Sequence, residues 1–188
     1  MRPQFLIGYS LIGLLTLWSI YAGNYEFVIY AAATAVLLGL LHWTDHKFQF
    51  SNTVLWLFDV WLVMHIFGGL LVIGNGVLYS YVLLPLVGEP YLILKYDQLV
   101  HAYCYFVVAL LMWKIVTYTA KPAASFGLLA TITVLAATGI GGLNEIVEFL
   151  AVVAVPDTNV GGYENTAIDI VANFLGALLA VPFFRHIK

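Results

Sequence analysis

The sequence predicts an all-α fold, a polytopic membrane helix bundle of about six transmembrane helices. Three observations carry this reading. Of 188 residues, 63% are hydrophobic and only 9% are charged. Several apolar runs are also long enough to cross a bilayer, which takes about 20 helical residues each. A soluble domain of this size carries roughly 25% charge and alternates its apolar residues with polar ones, so the soluble globular class is excluded. The mean hydropathy of +0.97 agrees. In such a chain the formal charge of -3 says little about partners; membrane lipids are the expected surroundings, and nothing points to nucleic acid.

We read spans over residues 4–22, 26–42, 53–74, 98–118, 124–154 and 166–184, all within a single transmembrane domain, 1–188. Arg2 precedes the first apolar run, which lacks an Ala-x-Ala site near its end and so reads as an uncleaved span rather than a signal peptide. Gly23 to Tyr25 link it to the second span. The link from His42 to Asn52 contains His42, Asp45 and His46, which look like a small metal motif but, beside Lys47, read as solvated loop residues. In the third span Asp59 lies nearer the inner side and reads as solvated or paired with a neighbour. His65, six residues on, falls on another face.

The segment Asn75 to Asp97 is unusually apolar for a loop. Tyr79, Tyr81, Tyr91 and Tyr96 suit the headgroup boundary, while Pro85, Gly88 and Pro90 break any full span, which predicts an interfacial helix or re-entrant hairpin. Such an element could cap a site and admit a lipid-like substrate sideways; a plain amphipathic connector is the alternative. Cys104 is the only cysteine. It makes no internal disulfide or thiolate metal cluster and reads as a small packing residue. Lys121 and Pro122 mark the turn before the fifth span, in which Thr138, Gly139, Gly141 and Gly142 allow close helix approach, as do Gly176 and Ala180 in the sixth. Pro156 to Glu164, with Asp157, Asn159, Gly161 and Gly162, is the one clearly polar outer loop. Asn165 or Thr166 is placed to N-cap the last helix, whose positive end favours Asp169 or a bound anion.

Charge sets the orientation. With the N-terminus inside, Arg2, Lys47, Lys114, Lys121, Arg185 and Lys188 all lie on the cytoplasmic side and only Lys95 lies outside. The positive-inside bias therefore predicts N-in and C-in in the cell inner membrane, with Lys114 snorkelling to the inner surface. That topology gathers the scattered polar residues of the apolar helices: His65 in the third span, Asp97 and His101 in the first two turns of the fourth, Asn144, Glu145 and Glu148 in the outer half of the fifth, and Asn165, Asp169 and Asn173 at the start of the sixth. Each Asp or Glu centred in hydrocarbon costs about 2.5 to 3.5 kcal/mol on insertion scales, so residues of this kind are functional candidates. Random packing defects would scatter over both leaflets; these share one depth.

Desolvated carboxylates must be paired, protonated or bound to a cation. Three chemistries satisfy the set. A metal such as zinc, manganese or iron would take His65, His101, Glu145 and Asp169 as ligands, with Glu148 as general base and Asp97 orienting His101. Acid-base chemistry or proton relay is the second, carried by Glu145 and Glu148. Structural pairing, with His101 as interhelical glue to Asp169 or Glu145, is the third. The helices of the set carry no His-x-x-x-His, Glu-x-x-His or His-Glu-x-x-His run, so spacing does not select a metal. The chain has no Gly-x-Ser-x-Gly elbow and no phosphate-cradling loop, which leaves serine hydrolase and nucleotide chemistry poorly supported.

The ordered pattern Asp97-Gln-Leu-Val-His101, Asn144-Glu145-Ile-Val-Glu148 and Asp169-Ile-Val-Ala-Asn173-Phe-Leu-Gly176 resembles the VanZ-like and YjdF-like bacterial membrane proteins. His65-Ile-Phe-Gly68 before a Tyr-rich segment favours the YjdF-like branch. The likeness covers about residues 60–182 and implies a membrane-embedded site facing the outer leaflet, without an agreed reaction. Gln98, Glu148 and Asn165 depart from those families' usual residues. The loss of basic partners implies that a metal or protons supply the missing charge. The expected function is metal-assisted hydrolysis or transfer on a lipid or envelope-linked amphiphile. A proton- or cation-coupled transporter or lipid-binding protein, and a scaffold with a polar packing cluster, are the alternatives.

Overall fold

Among the described residues, long apolar runs form six helices able by length and composition to cross a membrane, because a backbone in hydrocarbon must satisfy its own hydrogen bonds. The structure is a computed structural model describing residues 1–89, 91–155, 158 and 160–187. The readings of Pro90, Pro156, Asp157, Asn159 and Lys188 lie outside the described residues. The helices are α1 (Pro3–Tyr21), α2 (Tyr25–Phe48), α3 (Asn52–Leu70), α4 (Tyr96–Thr119), α5 (Phe126–Ala154) and α6 (Tyr163–Leu179), the last followed by a 3-10 turn, Val181–Phe183. The chain is thus an all-α, multi-pass membrane protein.

Local chemistry sets the ends. Asn24, Ser51 and Ser125 accept the main-chain N–H of Phe27, Val54 and Leu128 at 3.1, 3.3 and 3.3 Å, each satisfying an orphan donor of the first turn. At α4 the Gln98 Oε1 reaches back to the N–H groups of Leu94 and Lys95, at 3.2 and 2.9 Å. Three boundaries differ from expectation. Helix α2 runs on to Phe48, so His42, Asp45 and His46 are helical and not in a loop. Helix α3 stops at Leu70 rather than residue 74. Helix α6 starts at Tyr163 with Gly162 at its N-cap, so neither Asn165 nor Thr166 caps it; both lie in its first turn, and the Asn165 side chain is used elsewhere.

The segment between α3 and α4 is a strap of two small antiparallel ribbons rather than a helix. Strand β1 (Val72–Ile73) pairs with β2 (Gly76–Val77), and after a 3-10 turn (Leu78–Ser80) β3 (Val82–Val87) pairs with β4 (Ile93–Lys95). The register, Val82 opposite Lys95 and Val87 opposite Ile93, is irregular between those pairs. Gly74, at φ +62, supplies the left-handed residue of the first turn. Leu83, Leu84, Leu86 and Val87 are exposed.

Polarity in the bundle is inverted relative to a soluble protein. Leu14, Trp18, Leu143, Phe149 and Leu179 face outward, whereas His101, Glu145, Asp169 and Asn173 are buried. Helices α4 and α6 form the most extensive interhelical contact. Gly176 makes it possible, since a Cβ there would run into the Ala102 carbonyl. Gly141 likewise admits the Asn173 side chain, while Gly139 and Gly142 face open space and serve no such approach. Ala180 is fully buried.

Candidate functional site

His101 is the centre of the polar cluster. It lies in the second turn of α4 and is 6% exposed. Its Nδ1 donates to Asn173 Oδ1 on α6 at 3.0 Å, which leaves Nε2 facing Asp97 Oδ1 at 3.5 Å and Glu148 Oε1 at 3.7 Å. Glu145 Oε1 of α5 stands 3.6 Å from Nδ1. Neighbouring turns of three helices therefore converge on one ring, and α4 alone supplies both Asp97 and His101 through their i, i+4 spacing.

Asparagines hold the carboxylates in place. Asn144 Nδ2 donates to Glu148 Oε1 at 2.7 Å. Asn165 Nδ2 donates to Asp169 Oδ2 at 2.5 Å and to Asp97 Oδ2 at 3.3 Å, tying α6 to α4. Lys95 Nζ reaches only as far as Asn165 Oδ1, at 3.4 Å. The carboxylates are far from satisfied. Neither Glu145 oxygen makes a well-directed hydrogen bond with a described residue, and Asp169 Oδ1, in a residue with no exposure, also lacks one. Two overlapping groups offer one ligand atom each within 4.8 Å of one another: Asp97, His101 and Asp169, and His101, Glu145 and Glu148.

His65 lies outside both groups but lines the same cavity as His101. Its ring stacks on Trp61, with centroids 5.5 Å apart and 24° between planes. The Tyr79 hydroxyl, from the strap, touches His65 Nδ1 at 2.5 Å and the His65 carbonyl at 3.0 Å. Both contacts are satisfied only if the hydroxyl donates to the carbonyl and accepts from Nδ1–H. The remaining nitrogen, Nε2, is then an acceptor, and among the described residues it is buried without a hydrogen-bond partner. Burial, with Asp97 and Glu148 adding to it, pushes the Tyr79 phenol well above its usual 10.0, so the donor stays protonated.

The cavity draws on residues that sequence reasoning did not single out. Glu26, Phe27 and Tyr30 come from the first turns of α2, Trp61 from α3 and Tyr105 from α4. Tyr30 donates to Glu26 Oε1 at 3.3 Å. A signal for Glu26 existed, because a carboxylate just inside the second span sits at the same end of the bundle as Asp97. Asn173 was expected only as support, yet it makes the hydrogen bond that sets the His101 ring.

Six membrane-length helices around a buried His, Asp and Glu cluster define a class, the multi-pass helical membrane proteins with a polar interior. A family model described as "Predicted membrane protein (DUF2238)" matches residues 4–188, and the chain belongs to that family. No curated protein and no solved structure matches it.

Proposed function

We propose that the cluster around His101 binds a divalent cation and that the protein uses it for hydrolysis or transfer on a lipid or envelope-linked amphiphile at the extracytoplasmic face of the inner membrane. The observation that carries this reading is charge balance. Asp97, Glu145, Glu148 and Asp169 surround one imidazole, and the described lining of the cavity includes no Lys or Arg. One imidazolium offsets a single carboxylate, so the others need protons or a cation.

Distances favour the cation. The Nε2 to oxygen separations of 3.5 and 3.7 Å are too long for strong hydrogen bonds, but ligands about 2.1 Å from a tetrahedral metal lie about 3.4 Å from one another. Nε2 is also the His101 nitrogen that Asn173 leaves unused. Asp97 faces that nitrogen, which gives it a ligand's position, while Asn173 does the orienting. A metal held there would supply Lewis-acid chemistry, polarising an ester or phosphoryl oxygen and acidifying a bound water. Glu148, steadied by Asn144, is placed to take the proton. Orientation rests on Arg2, Lys47, Lys114, Lys121 and Arg185, which among the described residues share the end of the bundle opposite the site, and the ordered motifs resembling YjdF-like proteins agree with a bacterial envelope role.

The test is elemental analysis of protein purified without chelator or affinity metal. Stoichiometric zinc, manganese or iron, falling at least tenfold in His101→Ala and in Asp97→Asn, is the expected result. Metal-free protein that takes up none of the three on dialysis overturns the reading and leaves proton-coupled transport, with Glu145 and Glu148 as the ion-carrying pair.

A further inference from the structure

We propose that the ribbon of β3 and β4 lies in the lipid surface at the site end of the bundle, with the leucines of β3 inserted among lipid chains. This goes beyond the metal reading and does not rest on it.

Composition and exposure together show that the ribbon needs a cover. From Leu71 to Leu94 the chain carries one charged side chain, Glu89. Leu83, Leu84, Leu86 and Val87 are between 41% and 62% exposed, and Val72 and Ile73 of the first ribbon are exposed as well. Successive residues of a strand point to opposite faces, so a run exposed at every position from Leu83 to Val87 leaves the ribbon apolar on both. In water such a hairpin is an aggregation site. A protein partner would cover one face of it, whereas lipid can surround both.

The lipid-facing surface of the bundle continues into the ribbon. Phe67 and Leu71 at the end of α3 and Leu99 in the first turn of α4 are exposed, and α4 follows β4 without a break. The ribbon therefore stands at the rim of the apolar belt. Its root is fixed to the helices: the Tyr79 ring packs so close to Gly68 that a Cβ there would lie 2.5 Å from it. The Tyr96 hydroxyl donates to the Met64 carbonyl at 3.1 Å, and the Tyr96 N–H donates to the Tyr81 carbonyl at 2.9 Å.

Backbone pairing sets the depth. Among the described residues β3 pairs only with β4, so each strand keeps one open edge, and hydrocarbon tolerates no open sheet edge. The backbone is thus held at headgroup level, where water reaches it, and only side chains go deeper. Tyr81 and Tyr91, one ahead of each strand, are 49% and 48% exposed and suit that boundary. Glu89, between the strands, is exposed and can stay in water. Lipid beside the ribbon is then next to Tyr79, which lines the cavity, so an amphiphile can approach the site without leaving the bilayer.

Spin labels at single cysteines test this in nanodiscs of phosphatidylglycerol and phosphatidylcholine, by relaxation with oxygen, which concentrates in lipid, and with a water-soluble nickel chelate. Cys104 is buried, so the wild-type chain gives the unlabelled baseline. Leu143→Cys and Lys121→Cys, both at exposed positions, are the lipid and water references. In Leu84→Cys and Leu86→Cys the oxygen-to-nickel ratio is expected to exceed that of Lys121→Cys at least threefold. Tyr81→Cys and Tyr91→Cys should fall between those two variants and Lys121→Cys. All four sites are exposed, and if one variant fails to fold the others still decide. A ratio within threefold of Lys121→Cys at both leucines places the ribbon in water and overturns the proposal. Low access to both reagents overturns it as well, and spectral broadening between labels would then identify a second copy of the chain as the cover.

Discussion

The two ends of the bundle hold similar residues and treat them in opposite ways. At the end bearing the chain termini, Asp45 is closed off: Arg2 Nε lies 3.2 Å from its Oδ2, and the Phe50 N–H donates to its Oδ1 at 3.0 Å. His42 and His46 are also accommodated, His42 hydrogen-bonded by Tyr9 at 3.3 Å and stacked on Phe5, and His46 stacked on His42. At the strap end, carboxylates crowd one imidazole, and among the described residues Glu145 and Asp169 keep oxygens without a well-directed hydrogen bond. A local motif such as His42, Asp45 and His46 therefore says less than the balance of charge around it. Where each group has its partner the arrangement is structural, and where acceptors outnumber donors the protein is built for something it does not itself supply.

The largest effect on this contrast should come from the contact that builds the strap end. Gly176→Leu drives a side chain into the Ala102 carbonyl, next to His101, and backbone yields poorly. We expect a loss of about 3 kcal/mol and release of metal, with thiol labelling of Cys104, buried in the wild type, reporting the opening of α4 from α6. Unchanged labelling would show that the contact is not needed.

Neutralising one carboxylate at each end gives a sharper comparison. Asp45→Asn should destabilise by about 1–3 kcal/mol, since it removes a buried partner of Arg2. Asp169→Asn in chelator-treated protein should do the reverse and raise the melting temperature by a few degrees, because it relieves repulsion while an amide oxygen can still accept from Asn165. In metal-loaded protein the sign should invert. Destabilisation by Asp169→Asn in both states would mean that its carboxylate is satisfied as it stands.

The smallest effect concerns the strap. Because the folded Tyr79 phenol is pushed well above 10.0, the unfolded chain gives up that proton first as pH rises. Its contribution to stability is thus complete below about pH 10 and is lost above it. Melting curves from pH 8 to 11.5 should fall more steeply for the wild type than for Tyr79→Phe; parallel curves would place the phenol in solvent.

The fold class, the helices and the end of the bundle where the polar residues gather were all legible in the sequence, for a physical reason. Hydrocarbon tolerates neither open backbone nor scattered charge, so apolar runs mark spans, and their alternation assigns each residue to an end. Asp97, His101, Glu145, Glu148, Asp169, Asn165 and Asn173 could be grouped by that counting alone. Contacts within the group could not. Which nitrogen of His101 stays free depends on Asn173, which reaches it only because Gly141 and Gly176 let α6 lie close. His65 stands apart from the metal-capable groups, its ring engaged by Tyr79 and Trp61, and Glu26 joined the cavity through packing of α2 that no periodicity records. Hydropathy by itself determined that a polar site exists and where along the bundle it lies, since burial cost is a property of residue and depth. Only the tertiary structure decided which atoms face each other across it, because hydrogen bonds and close helix approach are settled over a few tenths of an ångström between residues far apart in the chain.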